Sequence, residues 1–274
     1  MVEYVIANAT VVPVRENPSE GAEQLTQLLF GEVCEVLDRL PRWTKIRSTL
    51  DGQEGWVDFK MVSLTSSLIA SSPHRLDTIV ATPMAAATPM DGGADLLLTL
   101  GTRLPNYSHG TFEVLGQQYL INPTCVSTAQ RSTGEADLQQ SDLQRSDLAT
   151  IAQSLLNAPY LWGGKNLMGI DCSGFTQVVY AAMGVNLLRN AREQMTQGEL
   201  IPCLSDAQPG DLAFFDHADR DPKATNISHV GLLLSPTEII HCSGCVHIDS
   251  IDEEGIHLSD GSLTHHLVQI KRYL

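Results

Sequence analysis

Cys172 follows Gly169-Ile170-Asp171 and is followed by Ser173-Gly174 and an apolar stretch that reads as a helix, Gly174 to Met183. A thiol at a helix N-terminus sits at the positive end of the macrodipole, near backbone N–H groups without acceptors, so its thiolate is favoured. Two histidines stand at the ends of candidate strands: His229 opens HVGLLL and His241 closes EIIH. A thiolate, a histidine base and a second polar group that orients the base are what nucleophilic acyl transfer needs.

The other cysteines are Cys34, Cys125, Cys203, Cys242 and Cys245. They are scattered rather than spaced as a disulfide framework, which suits a reducing compartment. Cys242-Ser243-Gly244-Cys245 has the spacing of a zinc or redox pair, with His241 and His247 beside it. No second pair of that kind exists, and strand alternation sends His241, Ser243 and Cys245 to one face, so no metal site and no cofactor are expected. His74, His109, His217, His265 and His266 read as surface residues.

The elements that must position these groups come in three rounds. Residues 1–65 read as short strands (Tyr4–Val14, Glu32–Leu37, Trp43–Ser48 and Glu54–Val57) with Asp51-Gly52 as a hairpin turn;. Residues 66–130 repeat the pattern more loosely, and 131–146 is a polar linker in which Asp-Leu recurs. From 147 to 274 the pattern is helical first, starting at Asp147–Leu156 with Ser146 or Asp147 as cap, and then stranded, the pattern of an α+β domain;.

A net charge of −15 disfavours nucleic acid or an anionic membrane as partner, since both reward clustered Lys and Arg;. No apolar run approaches the roughly 20 residues that span a bilayer. The opening MVEYVIANATVV lacks a basic stretch followed by an apolar one, so the chain as it stands is expected in the cytoplasm, and in the periplasm or outside if a leader has been removed;.

The ordered motifs Tyr160-Leu161-Trp162-Gly163-Gly164, Asp171-Cys172-Ser173-Gly174-Phe175, Gln194, Pro209-Gly210-Asp211-Leu212, His229-Val230-Gly231 and Ile240-His241-Cys242-Ser243-Gly244 resemble the NlpC-type cysteine peptidases, papain-like hydrolases of cell-wall peptides. The pattern Gly31-Glu32-Val33, Trp43-Thr44-Lys45-Ile46 and Gly55-Trp56-Val57 resembles the bacterial SH3-like domains that precede many of them. The implied architecture is an α+β papain-like peptidase behind two small all-β SH3-like barrels, the second divergent. By the family's motif His229 takes the thiol proton and returns it to the leaving amine, and His241 holds the other ring nitrogen of His229. His247 and His257 lie on later strands and fit that role less well.

The resemblance further implies that the Tyr160 hydroxyl joins the Cys172 N–H in holding the oxyanion, that Asp171 binds the substrate's terminal amine, and that Ser173 contacts the substrate. Glu32 of the first barrel would assist Asp171, and that barrel would wall one end of the cleft. Trp162 either lines the substrate site or packs. Two departures bear on specificity: Gln53 replaces a tyrosine, and Leu188-Arg189-Asn190-Ala191 lacks a serine. The implied substrates are murein-derived peptides with a free N-terminal L-alanine, cut between γ-D-glutamate and the diamino acid. The alternatives are a wall-binding hydrolase that remodels intact peptidoglycan, or an amidase or acyltransferase on the same Cys–His scaffold.

Overall fold

Alternation governs most of this chain: β2 (Val11–Arg15), β5 (Trp43–Ser48) and β6 (Glu54–Asp58) bury every second side chain;. The structure, a computed structural model, describes residues 2–65, 78–128, 138–217 and 226–274, with the side chains of 138–144 and of His217 outside the description. Residue 74, the start of the second round at 66–77 and the linker over 131–137 therefore lie outside the described residues. The chain divides into two compact units, Met1–Arg131 with Trp162–Leu167, and Ser132–Leu161 with Met168–Leu274.

In the amino-terminal unit, β1 (Tyr4–Ala7), β3 (Gln24–Leu29), β4 (Val33–Arg39) and β7 (Val62–Thr65) join β2, β5 and β6 in an antiparallel sheet ordered β3-β2-β6-β5-β4-β1-β7. The expected strand Tyr4–Val14 is two strands, and β3 was not anticipated. Gly55 of β6 leaves room for its neighbour β2: a Cβ there would stand 2.5 Å from Val14 Cγ1. Gly52 takes a positive φ of 74° in the β5–β6 turn, as Asp-Gly demands;.

The next strands are β8 (Thr78–Val80), β9 (Met84–Pro89), β10 (Leu96–Thr99), β11 (Thr111–Val114), β12 (Gln117–Ile121) and β13 (Val126–Thr128). They form a four-stranded sheet ordered β10-β9-β12-β11 and a β13–β8 pair. One apolar core joins both rounds, with Ile6, Phe30 and Val33 among Val80, Leu98, Leu104 and Phe112. The unit also takes in Trp162–Leu167, with β14 at Lys165–Asn166.

The carboxy-terminal unit carries α1 (Leu138–Gln153), β15 (Gly169–Ile170), α2 (Cys172–Ala182) and the single turn α3 (Ala191–Gln194). The first helix thus starts nine residues before Asp147, and most of the expected linker is helical. Its low mean hydropathy and weak segregation of apolar residues hid it. Seven antiparallel strands follow: β16 (Glu199–Ile201), β17 (Leu212–His217), β18 (His229–Ser235), β19 (Glu238–Ser243), β20 (Cys245–Ile251), β21 (Gly255–His257) and β22 (Leu263–Arg272). Their order is β16-β22-β17-β18-β19-β20-β21, and β21 pairs back onto β22, so the last six close into a ring.

Asp211 of the Pro-Gly-Asp-Leu motif is buried and accepts from Arg272 Nε at 2.9 Å and Nη2 at 2.7 Å, with Arg145 of α1 at 3.5 Å. Among the described residues no helix is long and apolar enough to cross a membrane.

Candidate active site

Asp171 caps α2: its backbone is extended and its Oδ1 accepts from the Gly174 N–H at 2.7 Å, which puts Cys172 at the first helical position;. Gln194 of α3 fixes this turn from outside, donating to Ser173 O at 3.0 Å and Leu188 O at 2.9 Å and accepting from Thr176 Oγ1 at 2.8 Å. The Val230 N–H hydrogen-bonds the Cys172 sulfur, so β18 meets Cys172 at the residue after His229.

The thiol does not follow the helix-dipole expectation. Burial, and after it the Asp171 carboxylate, push it up to about 12, against the Val230 and Ser173 N–H groups and Arg189;. Cys172 therefore rests as a thiol near neutral pH, and attack needs a base that takes the proton as the bond forms.

The candidate base stands in a chain of histidines. His229 Nε2 lies 2.8 Å from His241 Nδ1, and His241 Nε2 lies 3.1 Å from Asp249 Oδ2. A carboxylate only accepts, so His241 carries its proton on Nε2 and offers a lone pair at Nδ1. That lone pair accepts the Nε2–H of His229, so a neutral His229 keeps its own lone pair on Nδ1;. Burial holds the His241 pKa below its ordinary value, and the hydrogen bond from His241 holds the Asp249 carboxyl below its own.

The sheet register makes this chain of contacts possible. His241 pairs with Gly231 on one side and His247 on the other, and Asp249 follows His247 on the same face. A Cβ on Gly231 would meet His241 Cβ at 2.8 Å, so only glycine leaves room there. His265, expected at the surface, is instead buried and stacks on the His229 ring with centroids 4.4 Å apart. Its strand β22 pairs with β17, the neighbour of β18, an adjacency that the sequence does not disclose. Cys242 pairs with Val246 and Cys245 with Ser243, so the two thiols of the CxxC run face opposite ways.

Tyr160 is pinned by its N–H to Gly244 O at 2.8 Å and by a bridge to Ile170. Burial first, and then Cys172, raise its hydroxyl pKa, so it stays an O–H donor close to the thiol. Asp171 is already engaged: Arg189, 1% exposed, donates to Asp171 Oδ1 at 3.0 Å and Oδ2 at 2.6 Å, and to Ser173 Oγ at 2.9 Å. Breaking one side of such a buried pair costs about 3–5 kcal/mol. Arg189 and Asp249 were not singled out from the sequence as site residues. The only signal for Asp249 is its two-residue spacing from His247.

Glu32 and Trp162 belong to the other unit. Glu32 is buried and meets Lys165 Nζ at 3.0 Å. The Trp162 ring is 57% exposed, with its indole N–H on Glu23 Oε1 at 2.8 Å.

Residues 157–261 match the NlpC/P60 family, and residues 10–63 match the bacterial SH3 domain. The chain thus carries a cysteine peptidase domain of the NlpC/P60 family behind a bacterial SH3 domain. It is 29% identical to the gamma-D-glutamyl-L-lysine dipeptidyl-peptidase of Bacillus subtilis, over 79% of this chain and 71% of that one. It is 26% identical to dipeptidyl-peptidase 6 of Lysinibacillus sphaericus, over 90% and 93%. Its fold is that of an NlpC/P60 family protein from Bacillus cereus, with a TM-score of 0.80 at 20% identity and 99% of each chain covered.

Three substitutions test the histidine chain. His241→Ala is expected to lower kcat roughly 100-fold and Asp249→Ala roughly 10-fold, as losses of groups that orient a working histidine do. Asp249→Asn, which keeps an acceptor oxygen, should recover most of the rate. Steady-state kinetics on the four enzymes would refute the chain if Asn were no better than Ala.

Proposed function

We propose that the protein hydrolyses γ-D-glutamyl–diamino acid bonds in short murein peptides with a free N-terminal L-alanine, releasing a dipeptide such as L-Ala-D-Glu for recycling. The observation that carries this reading is the buried thiol at the head of α2 with the His229–His241–Asp249 chain beside it. The names of the relatives support the choice of bond. Residues 1–65 and 66–130 are read as two SH3-like barrels and 147–274 as a papain-like peptidase.

Cys172 Sγ attacks the γ-carbonyl carbon as its proton passes to His229 Nδ1. The negative charge that gathers on the carbonyl oxygen is met by the Cys172 N–H and the Tyr160 O–H. His229 then gives its proton to the departing amine, the carbon–nitrogen bond breaks and a thioester remains. Water, deprotonated by His229, attacks the thioester, and the dipeptide leaves as a carboxylic acid while the thiol is reformed. No cofactor enters these steps.

Asp171 is the proposed partner of the substrate ammonium, with Ser173 beside it. Because Arg189 already balances the carboxylate, the contact is worth the low end of the 1.5–3 kcal/mol of a charged hydrogen bond. Acetylating the peptide's amine should therefore cut kcat/KM about tenfold. Mass-spectrometric digestion of L-Ala-γ-D-Glu-L-Lys and its N-acetyl form checks this, and the same pair run on Glu32→Gln reads the role expected of Glu32. Equal rates on the two peptides, or release of stem peptides from intact sacculi, would favour a wall-remodelling hydrolase instead.

A further inference from the structure

The sequence offers no metal site, yet the face that carries His241 gathers a set of donors. His241 Nε2, His247 Nε2 and Asp249 Oδ2 lie within 4.8 Å of one another, with both histidines 3.1 Å from the carboxylate oxygen. Tetrahedral zinc, bound at about 2.0–2.1 Å, holds its ligand atoms about 3.3 Å apart. All three residues sit on adjacent paired strands, His241 directly opposite His247, so the backbone fixes their spacing.

A second observation points to a cation. His247 Nδ1 lies 2.7 Å from the Cys245 carbonyl oxygen. A carbonyl only accepts, so Nδ1 carries a proton, and in a neutral ring Nε2 is then a lone pair. That lone pair faces the Asp249 oxygen, two acceptors 3.1 Å apart. A metal ion between them would satisfy both. An Nδ1–H donated to a backbone carbonyl is also the usual outer contact of a histidine that ligates metal through Nε2.

We infer that His241, His247 and Asp249 form a site for one divalent transition ion of the zinc class, and that its occupation silences the peptidase. His241 Nε2 can bind a metal only with its lone pair, which moves the ring proton to Nδ1. His241 then donates to His229 Nε2, and the His229 proton shifts to Nδ1, the nitrogen that must accept from the thiol. The silencing rests on the catalytic reading above; the binding does not.

Cobalt(II) reports the two separately. Titrated into the metal-free protein, it should give the visible absorption of a tetrahedral ion at one equivalent, without a sulfur-to-metal charge-transfer band. Cys172→Ala should bind it equally well, and His247→Gln at least tenfold more weakly. Zinc should inhibit hydrolysis of L-Ala-γ-D-Glu-L-Lys, EDTA should restore the rate, and the inhibition constant should rise at least tenfold in His247→Gln. Each enzyme is compared with itself in EDTA, so any change in basal rate divides out. Loss of binding in Cys172→Ala would assign the ion to the thiol; that result, or no binding at all, overturns the site. Binding without inhibition would overturn the silencing and leave the site standing.

Discussion

Cys172→Ala is expected to abolish turnover, with a fall of about 10⁴- to 10⁶-fold in kcat, the range seen when a covalent nucleophile is removed. The protein should stay folded. The change deletes one sulfur that accepts the Val230 N–H, while the Asp171 cap, the Gln194 clamp and the Arg189 pair use other atoms. Circular dichroism and a melting curve alongside the peptide assay separate loss of chemistry from loss of fold. Activity within tenfold of wild type would sink the cysteine-peptidase mechanism. Cys172→Ser should be nearly as inactive, since the histidine must then deprotonate a hydroxyl.

His229→Ala should cost about as much, because a buried thiol pushed up to about 12 is almost wholly protonated at neutral pH and cannot attack unaided;. The two residues act on one proton, so their losses should not add: the double variant is expected within about threefold of either single one. Raising the pH supplies a direct check of sign. Deprotonating the thiol from solution should return part of the lost rate in His229→Ala as pH climbs toward 10, and none in Cys172→Ala. A His229→Ala variant with no such rise would show that the histidine does more than remove the thiol proton.

The sequence was most legible where local rules decide. Small residues before an apolar stretch marked the start of α2, and period-two alternation found most of the strands that position His229 and His241. Register was less legible. Alternation marks the strands on either side of Gly244 but not the tight turn there, which sets His241 opposite His247 and brings Asp249 to the same face. The burial of His265 likewise follows from a pairing between strands distant in the chain. The amine-receptor role of Asp171 is what the family resemblance implies. Its Arg189 partner comes from a loop 18 residues on, and no spacing rule ties the two together.

The chain path has a consequence for anyone who dissects this protein. It leaves the carboxy-terminal unit at Trp162 and returns to it at Met168, six residues that belong to the amino-terminal unit. There the Lys165 N–H and the Asn166 amide both bond Gln27 Oε1, at 2.9 and 2.8 Å, and the Lys165 ammonium meets Glu32. A gene fragment starting after residue 131 would encode Lys165 and Asn166 without Gln27 or Glu32, stranding two donors and a cation that the whole protein satisfies. Truncation would therefore confound any role of the amino-terminal unit with damage to the loop just ahead of Cys172. Point substitutions in the full-length chain are the cleaner instrument.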